Sequence, residues 1–62
     1  MNYTLETNSK VTGQRCYYDG YGFALRQEDA RIYTAHKWAG AEEHAANVSA
    51  AFNGQEVEPC EA

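Results

Sequence analysis

The feature that most constrains the fold is a single stripe of apolar residues in the second half of the chain. Its members recur at spacings of three and four, which places them on one face of an α-helix. The stripe consists of Trp38, Ala41, Ala45, Val48 and Phe52. A helix with one apolar face has to cover it against another element, and the rest of the chain is rich in strand-favouring residues.

The residues before the stripe predict where this helix begins. Thr34 is suited to an N-cap, and Tyr33 and Trp38 have the spacing of a hydrophobic staple across it. The helix should therefore start near residue 35. Gly40 would then lie inside it at a cost of about 1 kcal/mol, so a later start, near Ala41, is the alternative.

The residues after the stripe predict its end. Gly54 after Asn53 is typical of a C-terminal stop, so the predicted helix spans about 35–53. Residues 55–58 alternate around Val57 and favour a short last strand on a sheet edge. Pro59, which cannot donate to a sheet ladder, should end that strand.

The beginning of the chain has the pattern of a strand. Residues 2–7 alternate Tyr3 and Leu5 with polar residues, and both tyrosine and threonine favour strands. Asn8-Ser9-Lys10 then supplies turn residues. We expect a first strand over residues 2–7.

A second strand region follows, with a turn inside it. Asp19-Gly20 is a hairpin-type dipeptide, which predicts strands near 14–18 and 21–27. One long strand bent by a bulge at Gly20 or Gly22 is the alternative. Residues 30–33 either add a short strand or lead straight into the helix.

Together these elements predict an α+β fold. It is a small antiparallel sheet, about β-β-β-α-β, with one helix over about 35–53 packed across a face. The chain has 62 residues, which we expect to form a single domain, 1–62. A chain of this size buries only roughly 60% of its unfolded surface, so the core must be small.

The net charge of −4 is unevenly placed. Residues 1–31 carry four bases and four acids, whereas residues 32–62 carry Lys37 against five glutamates. The acidic C-terminal half should repel a nucleic-acid backbone and attract a basic protein surface. The alternative is that these charges form an ordinary solvated surface that keeps the protein soluble. The carboxylates that could form one acidic, partner-binding face are Glu42, Glu43, Glu56, Glu58 and Glu61, with Asp19, Glu28 and Asp29 as additions.

A second group combines aromatic rings with arginines on the predicted strands. Its members are Arg15, Tyr17, Tyr18, Tyr21, Phe23 and Arg26. Exposed rings beside arginines can stack on the bases of single-stranded nucleic acid. They can equally be an anchor patch for a protein partner or part of the core, and the acidic half of the chain disfavours direct nucleic-acid binding.

Catalytic and metal-binding patterns are not expected. His36 and His44 lie eight positions apart, about 12 Å along a helix, which is too far for one metal ion; both should be solvated. Cys16, His36 and Glu28 form no recognisable nucleophilic pattern. The glycines fit no nucleotide-binding signature, so the sequence predicts neither an enzyme nor a cofactor.

The two cysteines, Cys16 and Cys60, have no other cysteine or histidine at metal-ligand spacing. In a reducing cytosol they should be free thiols, with a disulfide between them as the alternative. No apolar run approaches the length of a membrane span, and we expect a cytoplasmic protein.

Small residues line the flank of the predicted helix beside its apolar stripe. They are Ala35, Ala39, Ala46 and Ala50. Small side chains let another backbone approach closely. This alanine flank should either rest on the protein's own sheet or form a seam for a second copy or a partner.

A short acidic chain with aromatic-rich strands, an alanine-rich helix and no catalytic motif resembles the small phage-encoded inhibitors of bacterial defence, above all anti-CRISPR proteins. The resemblance is one of size and composition over the whole chain. It implies a stoichiometric inhibitor that docks on a nucleoprotein effector of a bacterial host and blocks its basic DNA-binding surface. The glutamates of the acidic face would then meet lysines and arginines of the target.

A net charge of −4 is mild for a DNA mimic, so a mixed acidic and aromatic interface fits the resemblance as well. Two other functions remain open from the sequence. One is a small bacterial accessory or regulatory domain acting as a homodimer through a sheet edge or the alanine flank. The other is a weak binder of single-stranded nucleic acid through the tyrosine and arginine strands.

Overall fold

A computed structural model describes all residues, 1–62. One helix packs on a curled antiparallel sheet of five strands, which confirms the α+β prediction. The elements are β1 (Asn2–Asn8), β2 (Arg15–Tyr18), β3 (Phe23–Ala24), a 3₁₀ turn (Gln27–Asp29), β4 (Tyr33–Thr34), α1 (Trp38–Ala51) and β5 (Glu58–Glu61). No helix is both long and apolar enough to span a membrane.

The first strand, β1, is the centre of the sheet. It pairs antiparallel with β2, β4 and β5, while β3 pairs with β2. Tyr3 is matched with both Tyr33 and Glu61. A strand residue has one partner on each side, so β5 lies along one edge of β1 and β4 along the other. The strand β2 pairs with the C-terminal half of β1 on the same edge as β4.

Alternation along β1 separates a covered face from an open face. Tyr3, Leu5 and Thr7 are buried under the helix, whereas Thr4 and Glu6 point to the opposite side and are half-buried. Residues matched with Thr4 and Glu6 share their side. The open face, the side of the sheet away from α1, therefore also carries Tyr17, Glu58 and Cys60.

The core lies between α1 and the covered face. Ala41, Ala45 and Val48 are buried against Tyr3 and Leu5, and half-buried aromatic rings close the ends of this cluster. Small residues in the middle of the helix let it approach the sheet closely. The predicted apolar stripe is confirmed, with Trp38 and Phe52 at its periphery.

The beginning of the helix differs from the prediction. It starts at Trp38, and Lys37 stands at the N-cap without a side-chain cap. Thr34 belongs to β4, where its hydroxyl donates to the Asn2 side-chain oxygen at 3.0 Å. Pairing with β1 keeps residues 33–34 extended, so the predicted Thr34 cap is wrong. Gly40 consequently lies in the first turn rather than inside the helix.

The end of the helix follows the predicted stop, two residues early. The last helical residue is Ala51, and Asn53 and Gly54 adopt left-handed conformations with φ of 59° and 79°. The Gly54 N–H donates to the Ser49 carbonyl at 2.8 Å. This bond is the 6→1 hydrogen bond of a Schellman motif, which turns the chain back toward the sheet.

The last strand is shifted relative to the prediction of residues 55–58. It spans Glu58–Glu61 and contains Pro59 instead of ending before it. The Ala62 N–H donates to the Asn2 carbonyl. Hydrogen-bonded and non-hydrogen-bonded pairs alternate along an antiparallel ladder, so the backbone nitrogen of Pro59, three residues before Ala62, points away from β1. Proline loses no ladder bond at such an edge position, which explains why it is tolerated there.

The aromatic region forms a hairpin with a four-residue turn. The Asp19 N–H donates to the Gly22 carbonyl at 3.0 Å, and the Asp19 carboxylate accepts the N–H groups of Tyr21 and Gly22 at 2.8 Å. The turn predicted at Asp19-Gly20 is confirmed, and the single bulged strand is wrong. The strand predicted over 21–27 is reduced to Phe23–Ala24, because residues 27–29 turn into the 3₁₀ segment.

Both cysteines are free thiols, as expected. Cys16 is matched with Thr7 and Cys60 with Thr4. Thr4 and Thr7 point to opposite faces of β1, so the two sulfurs lie on different sides of the sheet. A disulfide between them is excluded by the fold.

Candidate partner-binding surface

The largest concavity is an open groove that borders α1 between Glu42 and Ser49 and also reaches the open face of the sheet at Glu6, Arg15 and Glu58. Residues 54–59 and the chain after β1 form its other walls, and its volume is about 860 Å³. The lining is mostly polar. The charged side chains of this groove are Glu6, Glu42, Glu56, Glu58, Lys10 and Arg15. Four carboxylates against two bases give the groove a formal charge of −2.

One base of the groove is already held by carboxylates. Arg15 crosses β1 on the open face, where its Nε lies 2.9 Å from the Glu6 carboxylate and its Nη2 contacts Glu58. A further guanidinium nitrogen lies 3.4 Å from the Asn8 side-chain oxygen. The register of the strands produces this cluster. Glu6 is matched with Glu58 of β5, and Asn8, two residues further along β1, is matched with Arg15 of β2.

The cluster shifts the pKa values of its members. Burial by itself raises the pKa of Glu6, but hydrogen bonds from Arg15, Thr4 and Cys60 outweigh it and hold that pKa below its ordinary value. Burial opposes the charge of Arg15 as well, yet its bonds to Glu58 and Glu6 raise the guanidinium pKa. Burial and the neighbouring Glu6 raise the pKa of the Cys60 thiol. Arg15 is therefore compensated within the protein.

The wall formed by residues 54–57 is fastened to β1 by side-chain hydrogen bonds. The buried Thr7 hydroxyl donates to the Glu56 carbonyl, and the Gln55 amide donates to the Thr7 hydroxyl at 3.0 Å and to the Asn8 carbonyl at 3.1 Å. These contacts fix the backbone at Glu56. Sequence reasoning missed Thr7 and Gln55, because both are ordinary polar residues whose partners lie more than 40 positions away.

The structure brings together only part of the predicted acidic face. Glu42, Glu56 and Glu58 all line the groove, although they come from the helix, the connecting segment and β5. The remaining five carboxylates do not line it. Glu43 is exposed on the helix, Glu61 ends β5, Asp19 holds the hairpin turn, and Glu28 and Asp29 lie in the 3₁₀ segment.

Asp19 has a structural role in its turn. Its carboxylate accepts hydrogen bonds from the N–H groups of Gly22 and Tyr21, which lower its pKa. Glu28 forms an exposed ion pair with Arg26. These contacts occupy two of the predicted acids and one of the arginines from the aromatic group.

The aromatic group is divided among three surroundings. Tyr18 packs with Phe23, Tyr33 and Phe52, with ring centroids 5.5–6.5 Å apart, and its hydroxyl donates to the Gly20 carbonyl. Tyr18 and Phe23 thus belong to the core periphery. Tyr17 lies on the open face opposite Glu6, and Tyr21 is 90% exposed at the hairpin turn. The rings do not form one stacking platform.

His44 is not the solvated side chain that the sequence predicted. Its Nδ1 lies 2.7 Å from the Tyr3 hydroxyl, and its ring stands edge-on to Tyr3 and Tyr33 with centroids 5.8 and 4.5 Å apart. The stripe spacing contained this information, since His44 follows Ala41 by three positions and precedes Val48 by four. His36, before the helix, is exposed as predicted.

The alanine flank does not rest on the protein's own sheet. Ala39, Ala46 and Ala50 are exposed on α1, and Ala35 is half-buried ahead of the helix. The first of the two interpretations of this flank is therefore wrong for its helical members. Ala46 also borders the groove.

No group of three or more histidine, cysteine, aspartate or glutamate side chains is arranged to hold a metal ion. Comparison with known proteins gave no match among protein-family models, curated proteins or solved structures.

Proposed function

We propose that this chain is a non-catalytic binding protein that docks its acidic groove onto a basic protein surface. The observation that carries the proposal is that Glu42 of the helix and Glu56 of the connecting segment line one groove, exposed and without an ion-pair partner, while Glu58 of β5 lines the same groove but is held by Arg15. The resemblance to anti-CRISPR proteins suggests the partner. It is a bacterial nucleoprotein effector of phage defence, and docking blocks its nucleic-acid binding in the host cytoplasm.

The charges around the groove support a cationic partner. Arg15 is occupied by Glu6 and Glu58, so Lys10 is the one base of the groove without an ion pair. Glu42 and Glu56 are exposed and form no ion pair, which leaves their charge available to lysines or arginines. Complementary charge of this kind accelerates encounter and selects the partner, and the binding should weaken steeply with salt.

The test uses two neighbouring glutamates of the same helix. Glu42 lines the groove and Glu43 does not, so Glu42→Lys and Glu43→Lys make the same charge change at different places. A purified CRISPR effector complex is mixed with labelled target DNA and increasing amounts of each variant, and the bound DNA is followed by gel shift. The wild-type chain should abolish DNA binding near stoichiometry.

In this assay Glu42→Lys should weaken inhibition about tenfold or more, the effect expected when a paired interface charge is reversed. Glu43→Lys should stay within about threefold of the wild type, because it alters only long-range steering. If both variants weakened inhibition equally, the groove would not be the docking surface. Failure of the wild type to bind representative effector complexes would refute the inhibitor function itself.

Self-association is a second candidate function, favoured by the exposure of the alanine flank. Three helical alanines face outward, and such small side chains would let a second helix approach closely. Ala39→Glu tests this without touching the groove, and an acidic residue in the first helical turn does not disfavour the helix. If the protein is a homodimer, sedimentation equilibrium should show a concentration-dependent mass that Ala39→Glu abolishes and that Gln14→Glu, an exposed change in the loop before β2, preserves. A monomer at all concentrations would exclude it.

A further inference from the structure

We draw no further inference here: the strongest candidate, the acidic groove between α1 and residues 54–59, belongs to the site already described, and nothing in the structure beyond its carboxylates shows what ligand it would take.

Discussion

At the scale of single residues, Tyr3 joins helix and sheet through its hydroxyl as well as its ring. The ring is buried and packs beside Tyr33, and the hydroxyl is hydrogen-bonded to His44 of α1. Burial raises the pKa of this hydroxyl, so it remains protonated at neutral pH. This polar contact thus adds to the apolar packing that holds α1 against β1.

Removing this hydroxyl should destabilise the fold measurably. Tyr3→Phe keeps the ring but leaves the His44 nitrogen without its partner, and we expect a loss of about 1 kcal/mol in the free energy of unfolding. Tyr17→Phe is the matched control, because the Tyr17 hydroxyl on the open face makes no hydrogen bond within the protein. Urea unfolding monitored by circular dichroism measures both. Equal stability of the two variants would show that the Tyr3–His44 bond contributes nothing net.

At the scale of elements, the turn after α1 determines how residues 54–57 reach the groove. Gly54 has a φ of 79°, a conformation that other residues adopt at a cost, whereas Gly22 has an ordinary φ and open space around it. Gly54→Ala should therefore lower the free energy of unfolding by about 1 kcal/mol. Gly22→Ala should be neutral or slightly stabilising, and thermal unfolding of the two variants compares them. A reversed order would contradict the left-handed turn.

The elements also show how far sequence patterns reach. The apolar stripe, β1 and the Asp19 turn were predictable, because each depends on spacing or turn chemistry within a few residues. The extended conformation of Thr34 and the position of Pro59 inside β5 were not. Both follow from pairing with β1, more than 30 positions away, and the sequence gives no local sign of such pairing.

The candidate site was only partly predictable for the same reason. Composition indicated that the C-terminal half is acidic, and Glu42, Glu56 and Glu58 were among the eight carboxylates that it suggested. Their convergence depends on the Schellman turn and on the hydrogen bonds of Thr7 and Gln55, which bring residues 54–57 back against β1. No charge count separates Glu42 from Glu43, although only Glu42 lines the groove.

At the scale of the whole molecule, one helix covers one face of the sheet and the other face stays open. Only seven residues are buried, and Leu5 is the one large side chain among them that is fully enclosed. With so small a core, polar contacts form a larger share of what holds the strands together. On the open face, Arg15 of β2 joins the three strands β1, β2 and β5 through its contacts with Glu6 and Glu58.

This arrangement makes stability depend on pH in a definite direction. The pKa of Glu6 is lowered in the folded protein, so its contribution is fully present above the ordinary glutamate pKa of the unfolded chain, about 4.5. The contribution is lost as pH falls through the lower, folded pKa. Asp19, whose pKa is lowered by backbone hydrogen bonds, adds to the same trend. The contribution of Glu6 and Asp19 to the free energy of unfolding should thus be level from pH 7 to about 5 and decline below it.

The Glu6→Gln variant separates the Arg15 cluster from the general effect of acid. Glutamine cannot carry the charge that Arg15 compensates, so the variant should be less stable at pH 7 by about 1.5 kcal/mol, the lower end of the range for hydrogen bonds to charged groups. It should lose less stability than the wild type between pH 5 and 3. Glu43→Gln, an exposed change outside the cluster, should keep the wild-type slope. Urea titrations at each pH measure this, and parallel pH profiles for wild type and Glu6→Gln would show that the three strands do not rely on the Arg15 cluster.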